Sequence, residues 1–545
     1  MMLWIYMFLF FLFFFIVKII INLCLNSKKL TLPPNPSIFP VIGNLLCLGR
    51  SFHLEPILRS FHATFGPIIT LHFRHCPSIF IADTFLAHQA LIEFGAIFAD
   101  RPPPDATDKF ITSNNHTIST AFFGPNWQLL RRNLTSGVLH PSRVKSYAHL
   151  RKSVLQFLLK NIHSQAKSDH SVCLTDHFHY AMFSLLAFPC FSDSLDENQI
   201  KQIEKAQQLM LFTNSHTKFK KLNFWPRATK ILMRKKWQEF FQTLRMHEDA
   251  LIPHVRTRKI LKEENDKERQ DSYFVSYVDS LLDLDLPEDK RKLNEAEIVS
   301  LCSEFLSSGA ETTSTALEWI MANLVKHPQI QEKLFKEIKG IIKDGEKEVN
   351  EEELKKLPYL KAVVLEGLRR HPPLHYLIPH AVTEDAELDK YVIPKKGIIN
   401  FNVALMGCEQ GVWDDPMAFK PERFMNNGGG GFDMGGHEHI KMMPFGVGRR
   451  MCPGHELAIL HLEYFVANLI WNFEWKAGDG EEVDLTEKLG FTVKMKYPLQ
   501  THITPRLEKE TQTETETGHD MVWDESLLFQ TDFERDGTLL YYLSR

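Results

Sequence analysis

Apolar and polar positions divide the chain into stretches of distinct character. Residues 1–25 are almost uninterruptedly apolar, broken by Lys18. About 20 apolar residues span a bilayer as a helix, and a lysine toward one end reaches the interface. A secretory signal would carry a basic leader and a small-residue cleavage site. Neither is present, so the pattern predicts an uncleaved anchor. Lys28 and Lys29 follow it, and the positive-inside rule then places the rest of the chain in the cytosol. Pro33, Pro34, Pro36 and Pro40 stiffen the next stretch into a hinge.

Farther on, residues 67–82 hold two short β-rich runs around a turn, which predicts a hairpin. The longest helical pattern after the anchor runs from Leu293 to Lys326. Asn294 with Glu297 forms a capping box at its start, and His327-Pro328 ends it. At 1.5 Å per residue such a helix is roughly 50 Å long and crosses a large domain. Residues 263–271 are highly charged and predict an exposed connection, and 484–500 predict a terminal hairpin bearing Phe491 and Thr492. The stretch 507–545 is polar and predicts disorder.

Composition narrows the classes. With 545 residues, 44% hydrophobic and 24% charged, the chain has ample material for a large core. A net charge of −4 argues against a general nucleic-acid binder. Eight cysteines are scattered without a paired framework, which suggests reduced thiols facing the cytosol. Between residues 205 and 243, Phe, Leu and Trp are mixed with many Lys and Arg. That composition serves a solvated helix face, or contact with a membrane surface.

Chemistry concentrates at Pro444–Gly454, P-F-G-V-G-R-R-M-C-P-G. An apolar helical pattern follows at once, from Leu457 to Leu469. A helix N-terminus favours an anion, and thiolate is the metal-binding form of cysteine. Upstream, Trp127 and Arg131 lie four apart, on one face of a helix. The motif Ser308-Gly309-Ala310-Glu311-Thr312-Thr313 interrupts the long helical pattern with poor interior residues. There Gly309 admits a close ligand or makes a notch for helix–helix packing, and Thr312 can donate its hydroxyl away from the helix ladder. Glu366 and Arg369 face each other at i,i+3.

Phe445, Gly448, Arg450, Cys452 and Gly454 fall on F-x-x-G-x-R-x-C-x-G. That pattern resembles the haem-ligand loop of the cytochrome P450 family. Three further motifs, in order, resemble the same family. Trp127 and Arg131 match W-x-x-x-R; Gly309, Glu311, Thr312 and Thr313 match the oxygen-activation motif; Glu366 and Arg369 match E-x-x-R, followed by Pro421-Glu-Arg423-Phe. The resemblance covers roughly residues 30–505 and looks like a plant microsomal member. Two departures stand out: Ser308 replaces a small apolar residue, and Cys408-Glu409 stands where many plant members carry Arg-Asp.

The resemblance implies a mainly α fold with a small β-rich lobe, preceded by a single transmembrane helix. It implies an anchor at 1–27, a hinge at 28–44, one catalytic domain at 45–506 and a tail at 507–545. Cys452 would be the axial ligand of haem b. Arg450, Trp127, Arg131 and His380 would serve the propionates, with Phe445 near the sulfur and Gly448 and Gly454 shaping the loop. Glu311 and Thr312 would deliver protons during dioxygen activation. Glu366, Arg369 and Arg423 would form a structural charge network. The implied activity is a haem-thiolate monooxygenase acting on a lipophilic small molecule, in plant secondary metabolism. Dioxygen is the co-substrate, and NADPH supplies electrons through NADPH–cytochrome P450 reductase. The implied location is the endoplasmic reticulum membrane, single-pass, in contact with lipid and not with nucleic acid. Two alternatives stay open: a reductase-independent haem-thiolate isomerase or dehydratase, and a non-catalytic membrane-anchored haem protein.

Overall fold

The computed structural model describes residues 32–36 and 54–506, apart from 74–75, 170, 193–194, 216, 224, 269–273, 344, 426–431 and 479–481. The anchor at 1–27, most of the hinge and the tail at 507–545 lie outside the described residues. Among those described, no helix is long and apolar enough to cross a membrane.

Near the start, α1 (Leu54–Phe65) leads into the hairpin of β1 (Ile68–Phe73) and β2 (Cys76–Ile81). Its register runs from Ile68 opposite Ile81 to Phe73 opposite Cys76. The helices that follow include α2 (Pro125–Asn133), α3 (Leu174–Cys190), α4 (Glu197–Ser215), α5 (Arg234–Glu268), α6 (Glu295–Lys326) and α7 (Pro358–Arg370). Two more strands, β3 (His380–Ala381) and β4 (Ile398–Phe401), complete a four-stranded sheet in the order β1-β2-β4-β3. In it β4 runs parallel to β2, so a long crossover containing the helices separates them. Last come α8 (His455–Asn472) and the hairpin of β5 (Glu487–Leu489) and β6 (Val493–Met495).

The organising element is α6. Asn294 Oδ1 accepts from the Glu297 N–H at 2.9 Å, and Glu297 Oε2 accepts from the Asn294 N–H at 2.8 Å. Both orphan donors at the helix start are thereby satisfied. Its C-terminal half is buried all round, with Leu317, Trp319, Ile320, Met321 and Leu324 in the core. It packs against α3, α5, α7 and α8. Its N-terminal half is different: Ser303, Ser307, Ser308 and Thr312 keep partial or full exposure along one side.

The charged stretch predicted as a connection is helical as far as Glu268. Glu and Lys are good helix formers, so charge density did not mark a break. The helix is also held from outside: Arg258 pairs with buried Asp279, and Lys262 donates to the Asp279 carbonyl at 2.9 Å.

Candidate active site

The thiol loop is shaped by two glycines. Gly446 and Gly448 have φ of +67° and +70°, a region that favours glycine. At Gly448 a Cβ would also come within 2.2 Å of the Leu91 carbonyl oxygen, so no other residue fits. The Cys452 N–H donates to the Phe445 carbonyl at 2.9 Å, closing the loop just before α8. The Phe445 ring lies 6.2 Å from that of His455. Burial pushes the Cys452 thiol up, and the Gly454 N–H and the Arg131 guanidinium oppose that rise.

Arg131 and Trp127 are both on α2, whose first residue is Pro125. Pro there costs no hydrogen bond. Trp127 is buried and its indole N–H donates to the Ile118 carbonyl at 3.0 Å. The half-buried Arg131 guanidinium makes no hydrogen bond or ion pair with the described residues. Desolvation lowers its pKa, and the field of Cys452 works against that. Arg450 lies over the Trp127 ring at 4.3 Å. It donates to the carbonyls of Ala99 at 2.7 Å, Ile118 at 3.3 Å and Ala121 at 2.7 Å.

The segment around Ile118 is therefore gripped from several sides. From α6, Glu304 accepts the N–H groups of Ile118 and Ser119, each at 2.7 Å. Buried Arg101 donates to Ser119 O at 2.7 Å, Ile378 O at 2.7 Å and Pro379 O at 2.9 Å. Burial raises the Glu304 carboxyl and pulls Arg101 down to about 9. Neither residue was singled out in the sequence. Arg101 lies in F-A-D-R-P-P, where only an arginine between turn residues signalled it, and Glu304 carries no local signal. Glu304→Ala is expected to lose about 1–3 kcal/mol for each N–H left without its acceptor. Denaturation midpoints of Glu304→Ala and Glu304→Gln check this, the Gln variant losing less.

His380 on β3 is fully enclosed. Its Nδ1 lies 2.6 Å from the Phe98 carbonyl oxygen and its ring meets Phe401 edge-on. Burial pulls its pKa down to about 3, so the ring is neutral.

On α6, a Cβ at Gly309 would lie 2.5 Å from Leu186 Cδ1 on α3. Glycine here serves close packing of two helices. The Thr312 hydroxyl does not leave the helix ladder: it donates to the Ser308 carbonyl at 2.5 Å. Such i−4 back-bonding is the local option for a half-buried Thr in a helix. Ser308, exposed, carries that acceptor. The buried Glu311 carboxylate takes Lys494 at 2.7 Å and His179 at 3.2 Å.

Behind the loop, Arg369 clamps Glu366 through two bonds of 2.7 and 2.9 Å. Arg423 reaches the same carboxylate at 3.1 Å. Arg369 also donates to Gly407 O at 2.7 Å and Pro416 O at 2.9 Å. Trp413 lies beside both guanidiniums, at 5.3 and 5.8 Å. At the Cys408-Glu409 departure, Glu409 Oε2 takes a hydrogen bond from the Thr84 hydroxyl at 3.4 Å.

A thiol in a glycine-shaped loop before a helix that packs on a long helix carrying Gly-x-Glu-Thr defines the class of haem-thiolate monooxygenases. The chain belongs to the cytochrome P450 family, whose model matches residues 33–501. It is 48% identical over 489 residues to cytochrome P450 89A9 of Arabidopsis thaliana, covering 87% of this chain and 94% of the relative. Flavonoid 3'-monooxygenase of A. thaliana is 28% identical, covering 91% and 95%. Geraniol 8-hydroxylase of Catharanthus roseus is also 28% identical, covering 87% and 94%. A zebrafish cytochrome P450 solved with progesterone aligns with a TM-score of 0.67 at 22% identity, covering 83% of this chain and 99% of that one. The fold is that of the family, mainly helical with small sheets.

The family implies haem b, and the donor set fits it. Cys452 is a half-buried thiol with a desolvated guanidinium and a backbone N–H in reach. Arg131 has no acidic partner among the described residues, which suits it to a carboxylate brought by a ligand.

Proposed function

We propose that the protein is an endoplasmic-reticulum monooxygenase that oxidises a lipophilic small molecule with electrons from NADPH, delivered by NADPH–cytochrome P450 reductase. The observation that carries this reading is the Cys452 loop with Arg131 unpaired beside it. Cys452 would ligate the haem iron; bound there, the haem supplies dioxygen activation, which thiolate ligation promotes. Arg131 and Arg450 would neutralise the propionates, with Trp127 fixing Arg450 from below and Phe445 shielding the sulfur. Gly454 leaves open space beside the loop for a flat ligand, while Gly448 sets the turn against Leu91. His380 contributes by packing and by its bond to Phe98, at the edge of that site.

Glu311, as a carboxylate, would accept and relay a proton, and Thr312 would pass a proton at its hydroxyl. For that step the Thr312 hydroxyl must turn its one O–H away from Ser308 O and toward the proton acceptor, its oxygen being reprotonated from elsewhere. Thr312→Ala is therefore expected to leave NADPH consumption within a few-fold and to divert most of it to hydrogen peroxide. Peroxide release per NADPH consumed measures this. A ratio equal to that of the unaltered protein would remove Thr312 from the proton path.

Relatives named for acting on a flavonoid and on geraniol support a lipophilic substrate. Membrane contact is supported by Trp225, Ile231 and Leu232, exposed by 69%, 80% and 82% amid Lys221, Arg227 and Lys230. An apolar tip ringed by cations suits an anionic lipid surface. The anchor at 1–27 would fix the chain to the same membrane.

The test is reconstitution of the full chain with the reductase in phospholipid vesicles, under labelled dioxygen, across panels of terpenoids, flavonoids and fatty acids. One labelled oxygen atom in the product, dependent on NADPH and reductase, is the expected result. Turnover of hydroperoxides with neither would instead assign an isomerase or dehydratase.

A further inference from the structure

Glu311 does not stand alone. Its Oε2 lies 3.2 Å from His179 Nε2 on α3, and its Oε1 lies 2.7 Å from Lys494 Nζ on β6. The Thr492 hydroxyl donates to the same Oε1 at 3.2 Å and itself takes a bond from Thr315. The other nitrogen of His179, Nδ1, lies 2.6 Å from Glu204 Oε1 on α4, with the Gln208 amide at 3.2 Å. The His179 ring is buried and stacks on Phe183. Glu204, His179 and Glu311 thus form a continuous chain across three helices.

An imidazole with a carboxylate at each nitrogen is driven to the doubly protonated form. Burial pulls His179 down, but the bonds to Glu204 and Glu311 overcome it and hold the ring at about 9. Burial pushes Glu311 up, and His179 with Lys494 overcomes that, leaving the carboxyl at about 2. Glu204 from α4 and Glu311 from α6 act on the ring directly; Lys494 from β6 faces Glu311 and also Glu318 on α6, which in turn faces Asp176 on α3. Lys494 is 46% exposed, so its pull is screened; His179 is the enclosed cation.

The same face of α4 touches α6 a second time. Gln207 Oε1 accepts from the hydroxyls of Ser303 at 2.9 Å and Ser307 at 3.4 Å, and lies 2.9 Å from His247 Nε2. Any shift of α4 is therefore felt on α6 both at the serines and, through His179, at Glu311.

We propose that His179 is a positioning residue for Glu311: as an imidazolium between Glu204 and Glu311 it holds that carboxylate ionised and links its placement to α4. The inference rests on the role proposed above for Glu311. The sign of its pH dependence follows from the raised imidazole. Its stabilising effect is full below about pH 6.5, the unfolded value, and is lost as pH rises through about 9.

The test uses the full-chain holoenzyme and its His179→Gln, His179→Phe, His179→Arg and Glu204→Gln variants. Two readouts are taken: thermal midpoint against pH, and reductase-supported NADPH consumption against pH with no added substrate. In His179→Gln and His179→Phe the midpoint deficit should be largest near pH 6.5 and shrink as pH passes 9. Their NADPH consumption should fall about tenfold and its acid limb should move to higher pH. Glu204→Gln should shift the limb the same way by less. His179→Arg, a permanent cation, should restore much of the rate and remove the high-pH loss. A pH-independent midpoint deficit with an unmoved acid limb, in both His179→Gln and His179→Phe, would reduce His179 to packing and overturn the proposal. Failure of the underlying reading looks different: unaltered protein without a thiolate–haem spectrum, or Glu311→Gln with an unchanged NADPH profile.

Discussion

Replacing Arg369 by alanine is expected to destabilise the protein by about 3–5 kcal/mol, the cost of leaving a buried charge without its partner. Glu366 is wholly buried, and Arg369 supplies two of the bonds that hold its carboxylate. Arg423 would remain on one oxygen, at 3.1 Å and in a less enclosed place. The carbonyls of Gly407 and Pro416 would lose their donor as well. Arg369→Lys should recover little, because an ammonium cannot span both carboxylate oxygens and two carbonyls at once. Joint replacement, Glu366→Gln with Arg369→Met, should cost less than Arg369→Ala, since it removes the unpaired charge. Denaturant midpoints of the three variants decide it. Equal midpoints for Arg369→Ala and the unaltered chain would mean that water or a shifted Arg423 neutralises Glu366.

The second large effect is chemical. Cys452→Ser should take turnover to background while leaving the unfolding free energy within about 1 kcal/mol of the parent, a small cost for a near-isosteric change. The loop does not depend on the side chain for its shape. Gly446 and Gly448 set it through positive φ, and the Cys452 N–H closes it on the Phe445 carbonyl. A hydroxyl in that place stays protonated and cannot supply the electron density of a thiolate. Carbon monoxide spectra, haem content and product formation measured together separate lost ligation from lost folding. Turnover retained by Cys452→Ser would sink the assignment.

Much of this was readable in the sequence, for reasons that differ by residue. The α6 capping box was legible because both partners lie three residues apart. The β1–β2 hairpin was legible because residues 67–82 hold two β-rich runs around a turn. The thiol loop was legible because turn geometry forces glycine at fixed places. What escaped was non-local. Glu304 and Arg101 act on one loop from opposite sides, and no spacing brings positions 101, 118 and 304 together. His179 and Glu204 meet Glu311 only because α3, α4 and α6 pack against one another. The Thr312 hydroxyl escaped for a local reason: the helix offers a carbonyl four residues back, and the motif alone says nothing of which acceptor wins. Charge density misled at residues 263–268, where Lys and Glu favour helix as readily as they favour solvent.

The central claim is that Cys452, as thiolate, holds a haem in this fold. A carbon monoxide difference spectrum of the reduced, membrane-bound full chain tests it most directly. The expected result is the strongly red-shifted Soret band of thiolate ligation. A band at the shorter wavelength of imidazole or protonated-thiol ligation, from folded protein, would contradict it.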